Sequence, residues 1–208
     1  KSKKKIYLAL SLIVNLGMLG TFKYGDFLIR SLNILFGFSN IPLHFPGLGL
    51  LLPLGISFYV FQTLGYVIDV YRGRMAERHL GRFALYVTFF PQIVAGPIER
   101  ASHLLPQFTE KHWFHEGRIG SGLKLMLWGL FKKVMIADTI APYIENVYGN
   151  LSVYPGPLLA LATVAFGIQI YCDFSGYSDI AIGSARVLGF RLMQNFNNPY
   201  LANSISDF

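Results

Sequence analysis

The sequence predicts an all-α, polytopic transmembrane protein, and three observations carry that expectation. Hydrophobic residues make up 53% of the 208 residues and charged residues only 14%. An average soluble chain is about 25% charged, so this one lacks the polar surface to coat a globule. Aromatics at 15% exclude a disordered chain, because such chains are poor in aromatic residues and rich in charge. Finally, apolar runs close to the about 20 residues a helix needs to cross a bilayer recur along the sequence. Lysines and arginines gather at their ends, as positive charge does where it fixes membrane orientation.

The elements follow in order. Residues 6–22 make a first span, with Asn15 its one strongly polar side chain. Residues 26–38 are shorter and carry Arg30 and Asn33, so an interfacial or partly inserted helix is expected. Residues 48–70 make a second span whose first half Pro53 and Gly55 should kink or break. Residues 83–98 are apolar, short and punctuated by Pro91, Gly96 and Pro97. Residues 119–136 span despite Lys124, Lys132 and Lys133. Residues 157–183 span with Asp173 and Asp179 inside them.

Lys1, Lys3, Lys4 and Lys5 and the arginines at 72, 74, 78 and 82 should share the cytoplasmic side. The link 138–156 has no Lys or Arg and should face outside, while Arg186 and Arg191 return inside. That count requires residues 83–98 to enter and turn back, which exposed backbone can do only when buried in protein or lining a cavity. Four spans and two partial insertions, in one membrane domain over 1–208, result. Some of the 21 glycines should serve close helix approach.

The net charge of +7 belongs to these helix ends, without the aromatic–basic alternation of a strand-stacking surface, so nucleic acid is not an expected partner. Cys172 is the only cysteine, which excludes an internal disulfide and a thiolate cluster. The basic start resembles a signal peptide, but its apolar body is too long and no cleavage pattern follows, so it reads as a retained anchor.

Chemistry concentrates in the last apolar run. A carboxylate at mid-membrane is costly and normally faces an interior cavity. Gln169, Asp173, Gly176 and Tyr177 fall on one helical stripe, and Ser175, Ser178 and Asp179 on its neighbour. Together they form a polar wedge: a substrate path, or a network locking helices together. Asn195, Asn197 and Asn198 with Pro199 can build a turn of fixed amides. Gln92 sits in the returning loop with Arg100 at its mouth. Lys124 and Lys132 share a face while Lys133 points elsewhere; they either snorkel to the interface or hold an anionic donor. His112, His115 and Glu116 have metal-like spacing without a third ligand, and no metal is assigned. No phosphate-cradling loop, dinucleotide glycines or nucleophile elbow is present.

Several runs resemble a known family. Pro53 to Gly73 (PLGISFYVFQTLGYVIDVYRG), Phe89 to Ile98 (FFPQIVAGPI), Leu130 to Asp138 (LFKKVMIAD), Gln169 to Asp179 and Asn195 to Tyr200 are together similar to the bacterial alginate O-acetyltransferase branch of the membrane-bound O-acyltransferases. The resemblance runs from about residue 52 to residue 208 and implies a ring of helices with re-entrant segments around a tunnel, in a multi-pass protein of the bacterial inner membrane. It implies transfer of an acetyl group from a cytoplasmic thioester, acetyl-CoA, towards an exported polysaccharide such as alginate, with no bound cofactor. Periplasmic acetyltransferases or polysaccharide-export proteins are the implied partners, beside membrane lipid. In the family the stretch matching Asn203 to Phe208 leads into the histidine to which catalysis is attributed. The chain is therefore expected to be a piece truncated at both ends and inactive alone, and no catalytic residue is assigned. Gln169, Asp173, Ser175, Tyr177, Asp179, Asn195 and Asn198 are expected to line the tunnel, Gln92 and Arg100 to belong to the re-entrant segment, and Lys132 and Lys133 to lie on the donor side. Three rivals stand beside this: D-alanyl or other acyl transfer to teichoic acid or another glycan, a transporter using Asp173 and Asp179, and a purely structural membrane subunit.

Overall fold

A computed structural model describes residues 2–38, 43–53, 55–93, 96–196 and 199–204, and among them all regular structure is helical. The first helical stretch comprises α1 (Ser2–Leu19), a π-helical turn (Gly20–Tyr24) and α2 (Gly25–Phe38). It runs unbroken over Lys3–Phe38, 36 residues or about 54 Å at 1.5 Å per residue. The expected separate interfacial helix over 26–38 is thereby corrected. No proline stands between residues 3 and 38, and the glycines at 20 and 25, at the two ends of the π turn, do not end the helix.

Asp26 and Asn33 have a different task from interrupting a span. Asp26 Oδ1 accepts the Leu48 backbone N–H at 2.7 Å. The Asn33 amide both donates to the Phe45 carbonyl and accepts its N–H, each at 2.9 Å. These side chains satisfy the backbone of residues 43–49, which form no helix. Irregular backbone in an apolar setting needs such internal partners.

As expected, the apolar run 48–70 breaks in its first half. Gly55, at φ 74°, precedes α3 (Ile56–Tyr71). Thr63 Oγ1 donates to Asn15 Oδ1 at 2.7 Å, tying α3 to α1 across an apolar contact. After it come α4 (Leu80–Val87), the short α5 (Phe90–Ile93) and α6 (Ala101–Leu104), then a 3-10 turn, Leu105–Thr109.

Next, α7 (Glu116–Leu130), a π-helical segment (Phe131–Ala137) and α8 (Asp138–Gly149) are continuous. The helix therefore outruns the expected end at 136 and takes up most of the expected outside link. No glycine or proline occurs between residues 130 and 141 to stop it. Finally, α9 (Gly156–Leu188) is 33 residues long and, like Lys3–Phe38, is long and apolar enough to cross a membrane.

Two helices begin with the same local device. His79 Nδ1 accepts the Arg82 N–H before α4, and His115 Nδ1 accepts the Arg118 N–H before α7, each at 3.3 Å. Both stretches read His-x-Gly-Arg. The imidazoles lie over Gly81 and Gly117, where an added Cβ would meet the ring at 3.0 and 3.3 Å. His115 as a metal ligand gives way to this role as the acceptor for an unpaired amide of a helix N-terminus. His112 is engaged too, its Nε2 lying 2.8 Å from the Gln107 carbonyl.

The chain divides into two compact units, residues 1–88 with 100–102, and residues 89–99 with 103–208. The polar cluster described next lies wholly in the second.

Candidate functional site

The site rests on close packing of α7 and its π extension against α9. The helices run antiparallel, with Gly122 facing Gly183 and Gly129 facing Gly176. A Cβ on Gly129 would fall 2.5 Å from the Gly176 carbonyl oxygen, and one on Gly183 2.6 Å from that of Gly122. Backbone meets backbone at both crossings, the small-residue packing that apolar surroundings favour between helices.

One turn beyond the Gly129–Gly176 crossing lie the lysines. Lys132 Nζ pairs with Asp179 at 2.6 Å and donates to Ser175 Oγ at 3.0 Å. Lys133 Nζ lies 2.7 Å from Asp173 and 2.6 Å from Asp138. The ammonium groups also stand over aromatic faces, Lys132 5.9 Å from the Tyr171 centroid and Lys133 5.4 Å from that of Tyr177. The expected faces are corrected here. Lys124 is exposed and Lys132 buried, so they do not share a face, and Lys133 joins Lys132 against α9. In a π turn the angular step between neighbours is smaller than in an α-helix, and four-carbon stems let two consecutive residues converge.

Both lysines are thus held by carboxylates, and three carboxylates meet two ammonium groups. Ser175 and Ser178 are fully buried, whereas Gln169, Asp173, Tyr177 and Asp179 are half-buried. The cluster is a charged, partly buried group near the middle of α9, with Asp138 and Asp173 at its open edge.

The chain after α9 folds back along it. Gly189, at φ 102°, ends the helix. The Phe190 N–H donates to the Ala185 carbonyl at 2.8 Å and the Gly189 N–H to that of Arg186 at 3.1 Å, the paired closure that a left-handed glycine permits. Phe196 and Tyr200 then pack on Tyr171, with ring centroids at 6.2 and 5.6 Å. Tyr200 Oη donates to the Gly167 carbonyl at 2.7 Å. Asn195 is exposed on this returning stretch; Asn197 and Asn198 lie outside the described residues.

Gln92 is buried in α5, and Arg100 is exposed just before α6. Neither joins the lysine–aspartate cluster. Beside Arg100, the fully buried Glu99 carboxylate binds His103 Nδ1 and accepts the Met193 N–H at 2.7 Å. Gln107 holds Arg191 by its main chain, donating to its carbonyl at 2.9 Å and accepting its N–H at 2.8 Å. Phe89, Phe108 and Phe190 close an aromatic triangle with centroids 5.1 to 5.6 Å apart. Sequence reasoning missed Asp138, Tyr171, Glu99 and Gln107 as members of these networks. For Asp138 and Tyr171 the signal was position: a carboxylate five residues after Lys133 and an aromatic two before Asp173.

No family model matches the chain. It is, however, 43% identical over 205 residues to a probable alginate O-acetylase AlgI of Azotobacter vinelandii, covering 97% of this chain and 40% of that protein. The chain belongs to the membrane-bound O-acyltransferase family. Another member, the peptidoglycan O-acetyltransferase of Helicobacter pylori, is 35% identical over 232 residues, covering 99% of this chain and 43% of that one. A third, the teichoic acid D-alanyltransferase of Bacillus subtilis, is 26% identical over 178 residues, or 79% of this chain and 42% of that one. The chain spans about two fifths of the length of these curated relatives. Family membership makes it part of a membrane protein, in keeping with its two long apolar helices.

Proposed function

We propose that this chain supplies the α7–α9 helix pair and part of the polar tunnel wall of a multi-pass inner-membrane O-acetyltransferase acting on an exported polysaccharide such as alginate. The observation that carries this reading is the 43% identity, over nearly the whole chain, to an alginate O-acetylase. The acyl donor is a cytoplasmic thioester, acetyl-CoA, and the acceptor is a sugar hydroxyl or a periplasmic relay protein. Residues 83–98 form the re-entrant segment of a helical ring, with Gln92 inside it and Arg100 at its mouth. Gln169, Asp173, Ser175, Tyr177, Asp179 and Asn195 line the path. Lys132 and Lys133 face it from the donor side, their charge already balanced by aspartates, so they shape the wall more than they attract the donor. The base that removes the acceptor's proton is a histidine supplied by the whole protein. Of the other cargoes, acetyl transfer to peptidoglycan has the support of the 35% identical relative. D-Alanyl transfer to teichoic acid is supported by the 26% identical one.

Membranes carrying the whole protein, given acetyl-CoA labelled in the acetyl group and alginate-producing machinery, test the reading. Labelled polysaccharide should form, and Asp173→Asn should cut it at least tenfold at equal expression. Full transfer by Asp173→Asn sinks the role given to that residue. Solute movement without acetyl transfer in the parent protein sinks the enzyme reading itself.

A further inference from the structure

An open hollow of about 450 Å³ lies where α7 begins and α9 ends, lined by His115, Arg118, Arg186, Gly189, Phe190 and Arg191. Its volume is within the range of small-molecule sites, roughly 300 to 1,000 Å³. Every ionisable side chain in the lining is basic. Among the described residues none of the three arginines forms an ion pair. Arg118 spends one guanidinium nitrogen on the Trp113 carbonyl, at 2.6 Å, while its buried Nε has no acceptor. Three guanidinium groups around one space repel one another, and a buried donor without a partner is costly. A phosphate ester offers oxygens that guanidinium forks bind well, and it would remove both penalties.

The depth of the hollow favours a lipid source. Trp113 and Phe114, immediately before His115, are 75% and 77% exposed. With residues 119–136 read as a span from the sequence, an exposed Trp just before it marks the headgroup level of a bilayer. Phe190 adds an apolar surface beside the charges. Arg186, in the last turn of α9, and Arg191, just after it, lie on the side that the distribution of basic residues makes cytoplasmic. Basic pockets between helices on that side suit anionic headgroups.

We propose that this hollow binds the phosphate of an anionic phospholipid headgroup, held by Arg118, Arg186 and Arg191. The assignment does not depend on acyl transfer, because its test reads lipid retention. The whole protein, purified in detergent, is titrated with phosphatidylglycerol and, separately, phosphatidylcholine, and bound lipid is counted by native mass spectrometry. Phosphatidylglycerol should bind preferentially, and Arg186→Gln with Arg191→Gln should weaken it roughly 30-fold, from about 1 kcal/mol per basic residue. The fold should survive, since Gln107 grips the main chain of Arg191 and not its side chain. If the double variant nevertheless misfolds, Arg191→Gln alone should weaken binding severalfold. Lys124→Gln, which removes an exposed charge from α7 outside the hollow, should leave binding unchanged. Equal binding of the two lipids, or equal binding by parent and variant, overturns the proposal. Displacement of phosphatidylglycerol by inorganic pyrophosphate at comparable concentration overturns the lipid source in favour of a soluble phosphate ester.

Discussion

Lys132 and Asp179 show how much a single residue can decide here. Their side chains are 11% and 21% exposed and 2.6 Å apart, so removing one leaves the other charge poorly solvated. Asp179→Leu or Lys132→Met alone should each cost on the order of 3 kcal/mol, while the double variant recovers much of it. Thermal unfolding in detergent, read as a double-mutant cycle, gives the coupling directly; additive losses would mean the two side chains act independently. Glu77 supplies the pH-dependent counterpart outside the membrane. Its carboxylate accepts the His79 N–H at 2.8 Å and pairs with Arg82 at 3.0 Å. The His79 N–H foremost, with Arg82 assisting, holds it below the ordinary value of 4.5. A depressed carboxylate stabilises the folded link above its unfolded pKa, and that contribution disappears as pH falls through the folded value. The protection of the His79 amide against exchange, taken relative to the intrinsic rate at each pH, should therefore fall as pH drops below about 4.5, and Glu77→Gln should remove this fall; an unchanged profile in the variant would refute it. At this scale the sequence was half legible. Asp173, Ser175 and Asp179 stood out because carboxylates and hydroxyls rarely lie idle in an apolar run. Lys132 and Lys133 stood out as donor-side candidates, but not as partners of these aspartates, because pairing across some forty residues depends on a π turn that no periodicity announces.

Among the elements, the antiparallel pair of α7 and α9 rests on two glycine crossings. A methyl group at Gly129 would meet a backbone carbonyl at 2.5 Å, and a carbonyl within a helix cannot swing aside as a side chain does. Gly129→Ala and Gly176→Ala should each destabilise the protein by about 1–3 kcal/mol. Gly120, on the same helix, has nothing within 4 Å of an added Cβ, so Gly120→Ala should be neutral or stabilising by up to about 1 kcal/mol. Melting temperatures of the three variants decide it, and equal effects at Gly120 and Gly129 would contradict the close crossing. The break at Pro53 and Gly55 was plain in the sequence, because those residues act on the backbone locally. The continuity of Lys3–Phe38 and of residues 116–149 was not. There, polar side chains look like interruptions until their partners in distant segments are known.

For the molecule as a whole, composition made the membrane legible and the joint pattern of five short runs made the family legible, since each run alone is an ordinary helix or turn. The order of spans is a separate matter, resting on basic residues at helix ends. Cys172 is buried and the only cysteine, so Cys172→Ala gives a clean background for mapping. In intact cells producing the whole protein, Arg78→Cys should resist a membrane-impermeant maleimide and react after lysis. Ser152→Cys, between α8 and α9, should react from outside. The opposite labelling pattern would invert the orientation, and with it the cytoplasmic placing of Arg186 and Arg191.

The π-helical segment Phe131–Ala137 has a consequence for comparing related sequences. A stretch of wide turn holds one more residue than the regular helix that would bridge the same two points. A relative that carries plain α-helix here should therefore show a one-residue gap between the positions of Gly129 and Ile144, and should lack one of the two neighbouring lysines. Deleting Met135, which is 61% exposed, would impose that gap on this chain. It would return the segment to regular α-helix, leaving the buried Ile144 in place and turning one of the two lysines away from α9. Insertions and deletions in this short stretch thus retune which side chains face α9 without changing any of them.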